Sequence, residues 1–113
     1  MQTRISRNDA TPVEMLPGLV RRTLAWGEKM MLCEFTADAG VVVPMHSHPH
    51  EQVGFVQSGR VQFIVAGESW IAEPGDSYAI PGGVEHEARI LEPTVLLELF
   101  SPPREAFAAP SPN

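Results

Sequence analysis

His46-Ser47-His48-Pro49-His50-Glu51-Gln52 places three of the chain's four histidines within five residues, with an amide side chain close behind. The fourth, His86, closes Gly75-Asp76-Ser77-Tyr78-Ala79-Ile80-Pro81-Gly82-Gly83-Val84-Glu85-His86, whose glycines and prolines suit tight β corners. The two segments read as halves of one metal site. In an extended strand, residues two apart share a face, so His46 and His48 are expected to project together. Gln52 and His86 are the natural candidates to complete the ligand set from other strands. Imidazole suits first-row transition metals and an amide oxygen is a weaker, neutral ligand, so one divalent ion is expected, with Zn, Mn, Fe, Ni and Cu all open. A polar surface loop is the competing reading of a lone His-x-His. Against it stands the gathering of every histidine into these two glycine-framed segments. His50, behind Pro49 in a loop, is left out of the ligand set.

Outward from this stretch the chain reads as short strands. Val41-Val42-Val43 leads into the histidines past Pro44. Gln52 to Ser58 is a strand closed by Gly59, and Val61 to Ala66 the next, with Val61, Phe63 and Val65 on one face. Ser69 to Ala72, Ser77 to Ile80, His86 to Ile90 and Thr94 to Phe100 follow. Upstream, Leu19 to Trp26 and Met30 to Thr36 can pair across Gly27-Glu28-Lys29. About eight or nine strands with turn residues between them are the pattern of a sandwich or barrel. No segment has a sustained helical period. The expected organisation is a single all-β domain over 1–113: an extended arm (1–17), a barrel core (18–100) and a proline-rich C-terminal segment (101–113) with a frayed end.

Composition narrows the function. At 113 residues, 43% hydrophobic and 19% charged, the chain reads as one soluble globular domain. A net charge of −6 argues against a nucleic-acid partner, though not against a small anion in a buried site. No apolar run approaches the ~18 to 20 residues of a membrane span. The polar opening, Met1 to Asp9, lacks the apolar core of a signal peptide. The single cysteine, Cys33, excludes an internal disulfide and reads as a buried structural thiol. Together these predict a cytoplasmic protein without nucleic-acid or membrane partners.

Gly40, His46, His48, Gln52 and Gly59 resemble the first cupin motif, G-x5-H-x-H-x3-E-x6-G. Gly75, Pro81, Gly83 and His86 resemble the second, G-x5-P-x-G-x2-H-x3-N. Two positions depart: Gln52 stands for the usual glutamate, and Ile90 for the closing asparagine. The resemblance implies a double-stranded β-helix, or jelly-roll barrel, with the ion inside one mouth. Fold alone does not choose among the dioxygenases, isomerases, decarboxylases, binding proteins and sensors of that family.

The rest of the pocket bears on that choice. With Gln52 in place of a glutamate, three imidazoles and an amide leave the ion's charge uncompensated, which favours a small anionic ligand. Glu98 interrupts the otherwise apolar Val95-Leu96-Leu97-Glu98-Leu99-Phe100, with Leu96 and Phe100 on its face. Either that face lines the barrel and Glu98 is an acid or base beside the metal, or it is the solvent face, covered by a partner. Arg104, braced by Ser101-Pro102-Pro103, is either a carboxylate-binding arginine or a solvated one. Gly54 reads as open space near the ion, or else as close strand packing. Val53 and Phe55 point away from the metal face, which predicts a homodimer unless the N-terminal arm covers them.

With this end segment the resemblance extends. HSHPHEQ, PGD, IPGGVEH and LLELFSPPREAF together look like the pectin-degradation cupins called KdgF-like, from about Val20 to Phe107. Those enzymes convert the ring form of a 4,5-unsaturated uronate to its linear 4-deoxy-5-keto form. The likeness implies metal ligands His46, His48, Gln52 and His86, a catalytic acid/base at Glu98, and substrate contacts from Phe100 and Arg104. Glu98 departs from the family, whose members carry Asp there. A metal-dependent dioxygenase or oxidoreductase, or a non-enzymatic small-ligand-binding cupin, are the alternatives.

Overall fold

The computed structural model describes residues 3–108. Eight strands, β1 (Pro12–Leu16), β2 (Leu19–Trp26), β3 (Met31–Ala37), β4 (Val42–His46), β5 (Glu51–Val65), β6 (Glu68–Ala72), β7 (Ser77–Ile80) and β8 (His86–Ser101), precede one helical turn, α1 (Glu105–Ala108). All strand pairings are antiparallel, along the path β1-β2-β3-β8-β5-β6, with β4 also on β8 and β7 also on β5. This is the all-β fold expected from the strand pattern, in the jelly-roll form that the cupin resemblance implies.

β5 and β8 are the spine. The sequence divides each into two strands, but both run through as single bent strands. Their register shifts between Val56 and Val61, where Gly59 adopts a left-handed φ of +93°. A Cβ there would lie 2.4 Å from the Pro93 carbonyl oxygen and 2.3 Å from Thr94 Oγ1, so the missing side chain lets the two strands bend against each other. Past the bend each strand changes partners. The first half of β5 pairs with β7 and the second with β6, while β8 pairs first with β4 and then with β3.

Strand alternation then sets the interior. Leu96, Glu98 and Phe100 are all buried, whereas Leu97 is half-buried and Leu99 exposed. On β5, Gln52, Gly54 and Val56 point inward and Val53 and Phe55 outward. Register lines these into rows across neighbouring strands: Met31–Phe100–Gln52–Ile80, then Cys33–Glu98–Gly54–Tyr78, then Phe35–Leu96–Val56. A mostly apolar row therefore lies on each side of the row that carries the carboxylate.

The N-terminal segment is more than an arm. Its residues 12–16 form β1 on β2, and Arg7, in a 3-10 turn at Arg7–Asp9, pairs with Glu34 at 3.0 Å on the outer face of β3. Val53 and Phe55 remain exposed. In the proline-rich C-terminal segment, α1 buries Phe107. The expected fraying concerns residues beyond 108, outside the described part. Among the described residues no helix is long and apolar enough to cross a membrane.

Candidate metal centre and its cavity

His46 and His86 are cross-strand partners of β4 and β8, and their rings lie 4.2 Å apart, centroid to centroid. His48 joins them by a route other than strand alternation. β4 ends at His46, and His48 stands in the following loop, where its carbonyl accepts from the Gly83 N–H at 2.8 Å. Gly82 completes the fit, since a Cβ there would lie 2.2 Å from the Pro49 carbonyl oxygen. The two motifs thus interlock through backbone, and only glycine permits that approach. One ring nitrogen from each of His46, His48 and His86 lies within 4.8 Å of the others.

The hydrogen bonds settle which nitrogens face inward. Nδ1 of His46, His48 and His86 lies 2.8, 3.0 and 2.9 Å from the carbonyls of Pro44, His50 and Val84. A carbonyl only accepts, so each Nδ1 carries the proton and each Nε2 of the neutral ring presents a lone pair. Burial, helped by the Arg104 and His86 charges, holds His48 down at about 4. Burial likewise lowers His86. His48 and His86 are therefore neutral near pH 7, the form a metal takes.

Gln52 is oriented by its far side. Its amide Nε2 donates to Glu98 Oε2 at 2.7 Å, which turns Oε1 toward His48 Nε2 at 3.1 Å. Two acceptors facing each other at that distance repel unless a cation lies near both. This donor set, three imidazole lone pairs and one amide oxygen, fits a divalent transition metal.

Glu98 is fully interior. Burial pushes its pKa up, while donors from Tyr78 and Gln52 and the charge of Arg104 pull it down. The Tyr78 hydroxyl donates to the same Oε2 at 2.5 Å. Burial, with the neighbouring Glu98, pushes the Tyr78 phenol well above its ordinary range, so it stays a donor. Among the described residues Oε1 has no such partner, and Glu98 lines a cavity of about 300 Å³ with His46, Gln52, His86, Phe100 and Arg104. Of the two readings of Glu98, the inward one is the geometry found. Arg104 stacks its guanidinium 4.2 Å from the Phe107 centroid and 5.2 Å from that of Phe100.

Tyr78 escaped the sequence reading. Gly54 stands between Tyr78 and Glu98 in register, and a Cβ on it would lie 2.1 Å from Tyr78 Cζ. The space above Gly54 is filled by this ring, so close packing rather than openness is what the glycine serves. Period two over Ser77–Ile80, which puts Tyr78 on the inner face, was the available signal. Gly54→Ala is expected to lower stability by about 1–3 kcal/mol through overpacking, read as a drop in the urea midpoint, and to break the Tyr78–Glu98 hydrogen bond. His50 stays outside the cluster, and Cys33 is fully buried, its thiol pushed up to about 11 by that burial.

Residues 33–100 match the family described as Cupin domain. Over 103 residues the chain is 31% identical to the pectin degradation protein KdgF of Dickeya dadantii, covering 88% of this chain and 94% of that protein. Among solved structures, KdgF from Halomonas sp. superposes with a TM-score of 0.87 at 29% identity, covering 94% of this chain and 98% of that one. An RmlC-like cupin from Shewanella frigidimarina gives 0.90 at 28% identity, covering 96% and 97%.

Proposed function

This chain belongs to the cupin family, in its KdgF-like group, and on that premise we propose that it is a metal-dependent enzyme that opens the ring of a 4,5-unsaturated uronate or a similar sugar acid. The observation that carries the proposal is the meeting of Glu98 and Arg104 with His46, Gln52 and His86 in one cavity. In our reading His46, His48, His86 and Gln52 hold one divalent ion, which when bound supplies Lewis-acid polarisation of a substrate oxygen.

The reaction is an isomerisation. The C1 hydroxyl of the hemiacetal loses its proton, the bond from C1 to the ring oxygen breaks to leave an aldehyde, and C4 gains a proton as the ring oxygen becomes the C5 ketone. Nothing is oxidised or reduced. In this reading Glu98 carries the proton, through Oε1, the oxygen that neither Tyr78 nor Gln52 holds. Tyr78 and Gln52 hold its other oxygen still. Arg104 takes the carboxylate, and Phe100 and Phe107 give the sugar an apolar wall that excludes water. Buried, unpaired Cys33 is compatible with a reducing compartment, and we place the reaction in the cytoplasm.

Metal-loaded protein is expected to speed the loss of the conjugated ultraviolet absorbance of unsaturated galacturonate. A rate equal to buffer sinks the proposal. Binding without turnover would identify a binding protein, and oxygen uptake by iron-loaded protein an oxygenase.

We also propose a homodimer. Val53, Phe55 and Leu99 are 42%, 43% and 41% exposed on one outer face, with Val53 and Leu99 paired across β5 and β8. Sedimentation at micromolar concentration is expected to give twice the chain mass, and Phe55→Arg the monomer.

A further inference from the structure

Arg21 is a buried guanidinium that has no acidic hydrogen-bond partner among the described residues. It is 6% exposed on the inner face of β2, and its Nε–H meets no acceptor. Nη1 donates at 3.2 Å to Met15 Sδ, a weak thioether acceptor. Burying a cation on such terms is costly unless an anion can reach it. The surroundings show where that anion would come from. The Arg21 guanidinium carbon lies 4.2 Å from the Phe107 centroid, the same ring on which Arg104 stacks at 4.2 Å. Thr23, two residues along β2, donates to the Phe107 backbone carbonyl at 2.9 Å and ties α1 to β2 there. Met15, Phe107 and Arg104 line the cavity, so Arg21 stands one flexible side chain behind its wall. Glu98, the carboxylate that shares this cavity, makes its hydrogen bonds to Tyr78 and Gln52 through Oε2, and none to Arg21 is found among the described residues.

We propose that Arg21 and Arg104 together form the acid-binding end of the cavity, an oxygen of the ligand's carboxylate taking the place that Met15 Sδ holds at Arg21. The Met15 thioether swings aside to admit it. Two guanidiniums on one carboxylate make charge, more than sugar shape, the main discriminator between a uronate and a neutral sugar. The choice of a sugar acid rests on the function proposed above.

The test is calorimetric and needs no turnover. Galacturonate, which lacks the reactive double bond, is the probe, with pyruvate as a small carboxylate beside it. Arg21→Met is expected to weaken galacturonate binding roughly 10- to 100-fold while the ligand-free protein melts at or above the wild-type temperature. Arg21→Lys, a point charge without the planar fork, is expected to fall between. Unchanged affinity in Arg21→Met overturns the inference. So does a loss of affinity that comes with a lower melting temperature, because that pattern marks Arg21 as a prop for Phe107. If wild-type protein takes pyruvate but not galacturonate, the sugar-acid reading fails and the same comparison in pyruvate decides on Arg21. Wild-type protein that takes up neither overturns the inference as well.

Discussion

Glu98→Gln protein, fully loaded with metal, is expected to turn over unsaturated galacturonate about 10²- to 10⁴-fold more slowly than wild type, the usual worth of a positioned acid or base. The amide keeps an oxygen for Tyr78 and Gln52 to donate to, so the pocket stays intact and only the proton carrier is lost. Glu98→Ala separates the residue's two duties. It removes the proton carrier and also the acceptor that turns Gln52, whose amide donates to Glu98 Oε2 at 2.7 Å. With that acceptor gone, the Gln52 amide is free to present its NH₂ to the histidines. Metal affinity is then expected to fall as well, by about 10- to 100-fold, the scale of lost outer-shell support. Rate measured at saturating metal and metal titrated without substrate read the two losses independently. Wild-type turnover in either variant would remove Glu98 from the chemistry. Glu98→Asp is expected to lose less than the alanine variant, since it keeps the charge but draws the carboxylate back from Tyr78.

The second large effect is on the metal itself. His86→Ala is expected to take bound metal, measured by elemental analysis, from near one ion per chain to near none, and activity to background. Added metal restores chelator-treated wild type but not the variant. His86 has this weight because its ring packs against both His46 and His48, with centroids 4.2 and 5.0 Å away. His48 adds a pH dependence to the stability of the metal-free protein. Its folded pKa, about 4, lies below the ordinary histidine value of 6.5. The unfolded chain therefore binds the extra proton first, and His48's contribution to stability is present above pH 6.5 and lost as pH falls toward 4. Urea midpoints of chelated protein at pH 7.5 and 5 are expected to fall in that order, and equal midpoints would contradict it.

Much of this site was legible in the order of residues. Three histidines in five residues, a fourth behind Pro-Gly-Gly, and glycines at 40, 59 and 75 mark β corners and a divided ligand set, because turn residues and ligand types act locally. Alternation carried Val53 and Phe55 outward and Gln52 and Gly54 inward for the same reason, since a strand's period holds whatever it pairs with. His48 reached the cluster for a different reason than the one read from the chain. It is a loop residue held by the Gly83 backbone, and that hydrogen bond spans thirty-five positions.

The sequence by itself determined the short-strand all-β pattern, the glycine-framed corners and which side chains were able to meet a metal, because each rests on local periodicity and side-chain chemistry. Tertiary structure alone decided which way Glu98 faces, why position 54 is glycine, and what stands behind Phe107. Each of those depends on register between strands distant in sequence. Tyr78 reaches Glu98 across Gly54 only because β7, β5 and β8 align at that row. Arg21 meets the ring beneath Arg104 only because α1 folds back onto β2. Such contacts carry no periodic trace in either strand, so they become readable only once the strands are paired.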